Sequence, residues 1–164
     1  MTTTYYEDDE MILFTGKTNI YSQFYTCEFI IGEKKFNCAE QWMMYSKAIF
    51  FNDEETAQKI LNESSPKEIK QLGREVKGYD DDKWILIADE IVYMGNLNKF
   101  NQNPELKEKL LKTGNKLIYE AMNYDKRWGT GFDIENSLKN KDKWGENRLG
   151  KAIMRVRETL IMDN

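Results

Sequence analysis

The sequence contains no histidine, and this absence limits its chemistry more than any other feature of its 164 residues. Without imidazole there can be no Ser-His-Asp triad, no Cys-His dyad and no HExxH zinc site. The two cysteines, Cys27 and Cys38, flank a predicted hairpin, and we interpret them as buried thiols because disulfides are rare in the cytosol. Two cysteines without histidine also make a poor zinc site, so no metal is expected. Catalysis would have to use carboxylates, lysines, arginines, tyrosines and backbone amides.

Proline and glycine are scarce as well, with 2 and 10 residues, and 13% of the chain is aromatic. This composition argues against disorder and against a linker, so we expect one domain over residues 1–164. The longest apolar runs, such as 84–88, are far too short to cross a bilayer, and the acidic N-terminus lacks the features of a signal peptide. We therefore expect a cytoplasmic protein without a membrane partner. Its net charge of −4 and pI near 5.1 argue against tight, sequence-blind binding to DNA.

Apolar periodicity predicts an α+β fold that is mainly α, a compact helical domain with a small antiparallel β-sheet. Two strands are predicted at 11–14 and 27–31, and a turn at 32–34 would lead the second into 35–36. Helices are predicted at about 39–51, 52–61, 66–78, 80–100, 103–113 and 148–161. Residues 116–122 favour a strand over a helix, and an irregular stretch rich in Gly and Asn follows to 147.

Helix starts are marked by capping residues. Ser65, Pro66 and Glu68 form a capping box at the beginning of the third predicted helix. The segment 80–82 offers aspartates that can cap the longest helix, whose apolar stripe has helical spacing. That stripe is predicted to be buried and consists of Trp84, Ile87, Ala88, Ile91, Val92 and Met94.

Residues 139–157 carry seven basic side chains against two acidic ones. The basic residues are Lys139, Lys141, Lys143, Arg148, Lys151, Arg155 and Arg157. This region suits either a site for phosphates or nucleic acid, or a solvated helix face and loop. Residues 145–151 also fit the G-x-x-x-x-G-K part of a phosphate-binding loop, but Ala152 stands where magnesium binding needs Ser or Thr.

Two groups of residues could carry acid–base chemistry. Glu40 and Lys47 lie seven positions apart and therefore share one helix face, roughly 10 Å apart. Glu120 and Asp125 flank a predicted strand end that is followed by Trp128. Carboxylates beside an aromatic platform suit cleavage of a bond between a sugar and a flat base, because positive charge develops on the ribose. The alternatives are a polar helix edge and a capped loop with a core tryptophan.

A set of short motifs runs through the chain in a fixed order. They are Ser22-Gln-Phe24, Ala39-Glu40-Gln41, Lys47-Ala48, Gly73-Arg74, Trp84, Lys99-Phe100, Asn103-Pro104-Glu105-Leu106, Asp125 with Trp128-Gly129, and Gly145-Glu-Asn147-Arg-Leu149-Gly150 with Arg157. In this order the chain resembles the NADAR family, the YbiA-like proteins, over residues 13–160. The resemblance implies an N-glycosidase of the same mainly helical fold that acts on ribose-phosphate N-glycosides without a metal or redox cofactor.

The resemblance also implies roles for individual residues. Glu40 would be a catalytic carboxylate at the sugar with Lys47 as its partner, and Glu120 and Asp125 would form a second catalytic carboxylate group. The expected substrate-binding residues are Ser22, Phe24, Arg74, Trp84, Trp128, Gly129, Asn147 and Arg148. The chain departs from the family at Gln23, Gln41 and Ala39, where Ser-Asn-Phe and Ser-Glu-His motifs are common. These changes affect the expected substrate more than the fold.

The substrate class stays open between two branches of the family. One branch hydrolyses ribosylaminopyrimidine phosphates of the riboflavin pathway, and the other removes ADP-ribose from guanine in nucleic acid. The long basic loop over residues 130–143 favours ADP-ribosyl-guanine, because it offers room for a second phosphate or a nucleic-acid strand. The partner would thus be a nucleotide-like small molecule or ADP-ribosylated nucleic acid. The alternatives are a non-catalytic module that binds ADP-ribose or an NAD-related nucleotide, and a purely structural protein in which Glu40, Asp125 and Asn147 lie far apart.

Overall fold

The computed structural model describes residues 3–163. Its strands are β1 (Tyr5–Glu7), β2 (Met11–Phe14), β3 (Phe29–Ile31), β4 (Lys34–Phe36) and β5 (Leu117–Glu120). Its helices are α1 (Ala39–Phe50), α2 (Glu54–Leu61), α3 (Pro66–Arg74), α4 (Asp81–Gln102), α5 (Pro104–Lys112), α6 (Ile134–Lys139) and α7 (Arg148–Met162). A 3-10 turn over Lys141–Lys143 separates the last two helices. None of the helices in this range combines the length and the apolar character that a bilayer crossing requires.

The strands form two small sheets. The predicted hairpin is confirmed as the antiparallel pair β3–β4, with Phe29 opposite Phe36. Strand β2 lies in the other sheet, between β1, which is antiparallel to it, and β5, which is parallel. Strand β1 is not predicted by the sequence pattern, and neither is α6, which lies within the stretch interpreted as irregular. All four residues of β2 are buried, because hydrophobic side chains cover both faces of the strand.

Local capping signals place the helix starts correctly. The Ser65 hydroxyl accepts from the Glu68 N–H at 3.4 Å, and Asp80 Oδ1 accepts from the Asp82 N–H at 3.0 Å. Helix α3 ends at Arg74, earlier than the predicted end near residue 78. Residues 75–80 therefore form a loop that connects α3 to α4.

Helix α4 lies at the centre of the helical layer, packed against α1 and α7. Trp84, Ala88 and Val92 are buried as predicted, but Met94 is exposed and its assignment to the buried stripe is wrong. Helix α7 buries Leu149, Ile153, Val156 and Leu160, as its periodicity predicts. Both cysteines are free thiols, with Cys38 buried and Cys27 half-buried.

Candidate active site

A cavity of about 320 Å³ lies where α1, α3, the start of α4 and the end of β5 come together. All four residues expected to be catalytic line it: Glu40, Lys47, Glu120 and Asp125. Of the expected substrate-binding residues, Ser22, Phe24, Arg74, Trp84 and Trp128 also line it. The alternative of dispersed positions therefore does not hold for the two carboxylates Glu40 and Asp125.

Helix α1 places Glu40 at the floor of the cavity. Glu40 lies in the first turn of the helix, is 7% exposed, and donates its backbone N–H to the Gln23 carbonyl at 2.9 Å. Lys47 lies two turns later on the same face and is half-buried. Its ammonium nitrogen lies 4.3 Å from the centre of the Tyr79 ring, within the range of a cation–π contact. The predicted spacing thus brings a carboxyl and an amine into one cavity.

Glu120 is the last residue of β5 and is also 7% exposed. The chain turns back after it, and the Thr130 N–H, ten residues later, donates to the Glu120 carbonyl at 2.8 Å. Gly129 makes this turn possible, since a Cβ there would lie 2.5 Å from the Glu120 carbonyl oxygen. Asp125 Oδ1 accepts from the Trp128 N–H at 2.9 Å, which fixes the loop that carries both side chains. The loop therefore holds Asp125 beside the strand end.

Burial raises the pKa values of the two buried glutamates, Glu40 and Glu120, towards neutral pH. Loss of water raises the pKa of Glu120 to about 8, and the negative charges of Asp125 and Glu40 act in the same direction. Burial also raises the pKa of Glu40 to about 7, although Lys70, Lys47 and Arg74 oppose the shift. Burial lowers the pKa of the Lys47 ammonium, and Glu40 opposes that change. Groups that exchange protons near neutral pH in a cavity are suited to general acid–base catalysis.

Basic side chains line the cavity together with the carboxyl groups. Lys17, Lys70 and Arg74 line it, and none of the three forms an ion pair with an acidic residue in the described range. Lys70 and Arg74 lie one turn apart on α3, so both can reach the same anion. Among residues 3–163 no three His, Cys, Asp or Glu side chains are grouped to hold a metal ion. The free cations are suited to the phosphate of a nucleotide-like ligand.

Three expected substrate-binding residues, Gly129, Asn147 and Arg148, lie outside the cavity lining. Asn147 is buried and donates from Nδ2 to the Ile118 carbonyl at 2.9 Å, while its Oδ1 accepts from the Glu120 N–H at 3.4 Å. It therefore ties the start of α7 to β5, the strand that carries Glu120. Arg148 forms ion pairs with Asp89 at 3.3 Å and Glu146 at 3.2 Å. Gly129 is likewise absent from the lining, and its place is explained by the turn after β5.

The basic stretch 139–157 does not form a continuous positive surface. Arg155 pairs with Glu90 at 2.8 Å, and Arg157 is buried, donating to the Thr113 hydroxyl and to the Lys116 carbonyl, each at 2.8 Å. Since Arg148 is paired as well, the structure favours the solvated or structural alternative for these arginines. The G-x-x-x-x-G-K match is explained by close packing, because a Cβ on Gly150 would lie 2.0 Å from the Ile118 carbonyl oxygen.

Sequence reasoning missed several residues of the cavity. Lys17, Lys70, Tyr79 and Arg127 line it, and none of them was singled out by a motif. Gln23 also lines it; the sequence marks it as a departure from the family pattern that affects the expected substrate, but not as a substrate-binding residue. Lys99 matched a motif, but it is fully buried behind the cavity wall and donates to the Ser22 carbonyl at 3.0 Å.

The sequence is similar to those of known proteins. The sequence profile of the NADAR domain matches residues 5–161. N-glycosidase R617 of Acanthamoeba polyphaga mimivirus is 38% identical over 165 residues, which cover 93% of this chain and 97% of that protein. Riboflavin biosynthesis protein VVA0006 of Vibrio vulnificus is 28% identical over 156 residues, which cover 95% of this chain and 38% of that protein.

The fold also has a solved counterpart. The NMR structure of the E. coli protein YbiA matches with a TM-score of 0.79 at 24% identity, covering 98% of this chain and 90% of that chain. At this level of identity the likeness shows the fold. The expected α+β, mainly helical architecture is therefore confirmed.

Proposed function

The chain belongs to the NADAR family and is a hydrolase that acts on N-glycosyl bonds; we propose that it cleaves a ribose-phosphate N-glycoside with the carboxyl groups of its cavity. The observation that carries this proposal is the arrangement of charge in the cavity. Glu40 and Glu120 are buried in the cavity with Asp125 beside them, and the cations Lys70 and Arg74, which form no ion pair with an acidic residue in the described range, line the same cavity. A ribose held by its phosphate at the cations would present its C1′ to the carboxyl groups.

Cleavage breaks the bond between the ribose C1′ and a base nitrogen. The electron pair leaves with the base, and positive charge develops on the ribose. Glu120 has the higher of the two raised pKa values, about 8, so it donates a proton to the departing nitrogen at neutral pH. An ionised carboxylate of Glu40 or Asp125 stabilises the ribosyl cation and accepts a proton from the water that attacks C1′. Burial of the two glutamates strengthens these interactions because it excludes water.

Two substrate branches remain to be compared. The relative named a riboflavin biosynthesis protein supports ribosylaminopyrimidine phosphates as one candidate. ADP-ribosyl-guanine is the other, but Arg148, Arg155 and Arg157 of α7 do not add support for it, since they are bound to other groups of the protein. Lys17, Lys70 and Arg74 provide charge for one or two phosphates, which suits both candidates. The riboflavin intermediate and the ADP-ribosylated base therefore form separate arms of one experiment.

The experiment measures free base by mass spectrometry. The protein is incubated with an oligonucleotide that carries ADP-ribosylated guanine, with a ribosylaminopyrimidine phosphate and with NAD. Glu40→Gln and Glu120→Gln keep the side-chain shape and remove the acid, while Glu108→Gln changes an exposed glutamate that pairs with Lys112 on α5, away from the cavity.

We expect wild type and Glu108→Gln to release base from one substrate, and both cavity variants to lose this activity. If Glu40→Gln and Glu120→Gln released base at the wild-type rate, the catalytic role proposed for these carboxyl groups would be wrong. No release from any substrate, together with tight ADP-ribose binding in calorimetry, would replace the enzyme by a nucleotide-binding module.

A further inference from the structure

Two polar side chains of α4, Asn96 and Lys99, are fully buried behind the cavity wall. They lie three residues apart and therefore point to the same side of the helix. Both hold the short segment that lines the cavity: Lys99 Nζ donates to the Ser22 carbonyl at 3.0 Å, and Asn96 Nδ2 donates to Gln23 Oε1 at 2.9 Å. Buried polar groups cost free energy unless they are hydrogen-bonded. These contacts therefore fix the position of Ser22 and Gln23.

The orientation of the Gln23 amide follows from its neighbours. Asn96 Nδ2 lies 2.9 Å from the Val92 carbonyl oxygen, which can only accept, so the atom facing it is a nitrogen. The same nitrogen lies 2.9 Å from the Gln23 side chain, which must therefore turn its oxygen towards Asn96. Gln23 Nε2 is left on the other side of the amide. Its partner there is the Met43 sulfur at 3.8 Å, which is a weak acceptor.

Gln23 and Met43 both line the cavity, so this weakly bonded donor is available to a ligand. We propose that Gln23 Nε2 donates a hydrogen bond to an acceptor atom of the N-glycoside, and that Asn96 is a positioning residue that fixes the direction of this donor. The inference rests on the proposed function, because it names a recognition contact for the same cavity. A fixed donor favours a substrate with an oxygen or unprotonated nitrogen at this place, since a substrate N–H would leave two donors unpaired.

A double-mutant cycle on Gln23→Met and Asn96→Leu tests both parts, with kcat/KM for base release as the measurement. Gln23→Met keeps the side-chain length and removes the donor, so we expect kcat/KM to fall about ten-fold, mainly through KM. Asn96→Leu lets the glutamine amide rotate and should lower kcat/KM by about three-fold or more. The double variant should be no worse than Gln23→Met alone, because Asn96 acts through Gln23.

Asn98→Leu is the matched control, since its amide donates to the Met94 carbonyl at 2.9 Å on the same helix. Unchanged kcat/KM in Gln23→Met would overturn the recognition contact. Losses that multiply in the double variant would overturn the positioning role of Asn96. Thermal unfolding checks the fold, which should tolerate Asn96→Leu because Asn96 Oδ1 has no hydrogen-bond partner within residues 3–163. If that variant does not fold, Asn96→Ala takes its place.

Product binding distinguishes the two possible sources of the acceptor. If it belongs to the ribose phosphate, Gln23→Met should weaken binding of the sugar product, ADP-ribose or the ribose phosphate according to the substrate that is cleaved, by the same factor as kcat/KM. If it belongs to the base, binding of that sugar product should be unchanged. Should wild type release no base, the proposed function fails on its own, and the calorimetric affinity of the uncleaved ADP-ribosylated oligonucleotide for wild type and Gln23→Met decides the contact. Equal affinities, or no binding by either, would then overturn it.

Discussion

Arg127 and Asp81 form a two-pronged ion pair beside the cavity, with both N–O distances at 2.8 Å. Asp81 is the first residue of α4, and Arg127 lies in the loop after β5 that also carries Asp125. The planar guanidinium fits a carboxylate in this geometry, so the pair restricts the orientation of the loop as well as its distance from α4. The pair thereby links the start of the central helix to the position of a proposed catalytic carboxylate.

Removing the charge of Asp81 should affect activity more than stability. We expect Asp81→Asn to lower kcat/KM about three-fold, because the loop with Asp125 gains freedom, while the melting temperature hardly changes. Steady-state kinetics and thermal unfolding measure the two effects. Asp89→Asn is the matched control, since Asp89 also pairs with an arginine, Arg148, that lies outside the cavity lining. Equal kinetic losses in both variants would contradict the link between the ion pair and the loop.

Glu120 should make the protein less stable as the pH rises. Its pKa rises from an ordinary value of 4.5 to about 8 in the folded protein, so between these values the unfolded chain has lost a proton that the native state retains. The native state is therefore progressively destabilised from about pH 4.5 to pH 8.

Glu120→Gln removes this dependence. We expect the stability of the variant relative to wild type to increase from pH 5 to pH 8, by on the order of 3 kcal/mol. Thermal unfolding at both pH values measures the change, and Glu108→Gln provides the exposed control. A relative stability that stays constant between the two pH values would contradict the raised pKa. The same substitution should abolish base release, so activity and stability are expected to change in opposite directions at pH 8.

The sequence predicts best those features that a single helix determines. Glu40 and Lys47 share a face because seven residues make nearly two turns, and this spacing suffices to bring both to the cavity. Ser65 and Asp80 mark helix starts because a capping side chain bonds to a backbone group a few residues away. Such features need no knowledge of how the elements pack.

Features that depend on packing between distant elements escape sequence reasoning. Lys70 reaches the cavity because α3 packs on α1, and the family match at Arg74, one turn further along α3, is the sole indication of that contact in the sequence. Asn147 matched a family motif, but a match does not distinguish contact with a substrate from contact with the backbone. Its amide donates to a carbonyl of β5, and this contact depends on the packing of α7 against β5.

The cations of α3 should control substrate affinity. We expect Lys70→Ala and Arg74→Ala each to raise KM about ten-fold with a smaller change in kcat, since each removes a charge-assisted contact to phosphate. Lys67→Ala is the control on the same helix, because Lys67 is exposed and does not line the cavity. Added salt should weaken binding by wild type more than by the variants. Unchanged KM in both variants would place the phosphate elsewhere.

Gly150 gives a test of the connection between α7 and Glu120. It lies in the first turn of α7, where alanine would favour the helix by about 1 kcal/mol on propensity alone. A Cβ there would, however, lie 2.0 Å from the Ile118 carbonyl oxygen and 2.4 Å from Asn147 Nδ2, the two atoms whose hydrogen bond joins α7 to β5. Because the nearest of these atoms belongs to the backbone, the helix and the strand would have to separate.

We expect Gly150→Ala to destabilise the protein by about 2 kcal/mol, against the direction of helix propensity. It should also lower kcat, since Glu120 lies two residues beyond Ile118 on the displaced strand. Lys151→Gly and Lys151→Ala, at the next and exposed position of α7, together measure the difference in helix propensity between glycine and alanine without the packing contact. Denaturant unfolding and steady-state kinetics measure both consequences. Stabilisation by Gly150→Ala, with normal turnover, would show that the contact between α7 and β5 can relax without moving the carboxyl group.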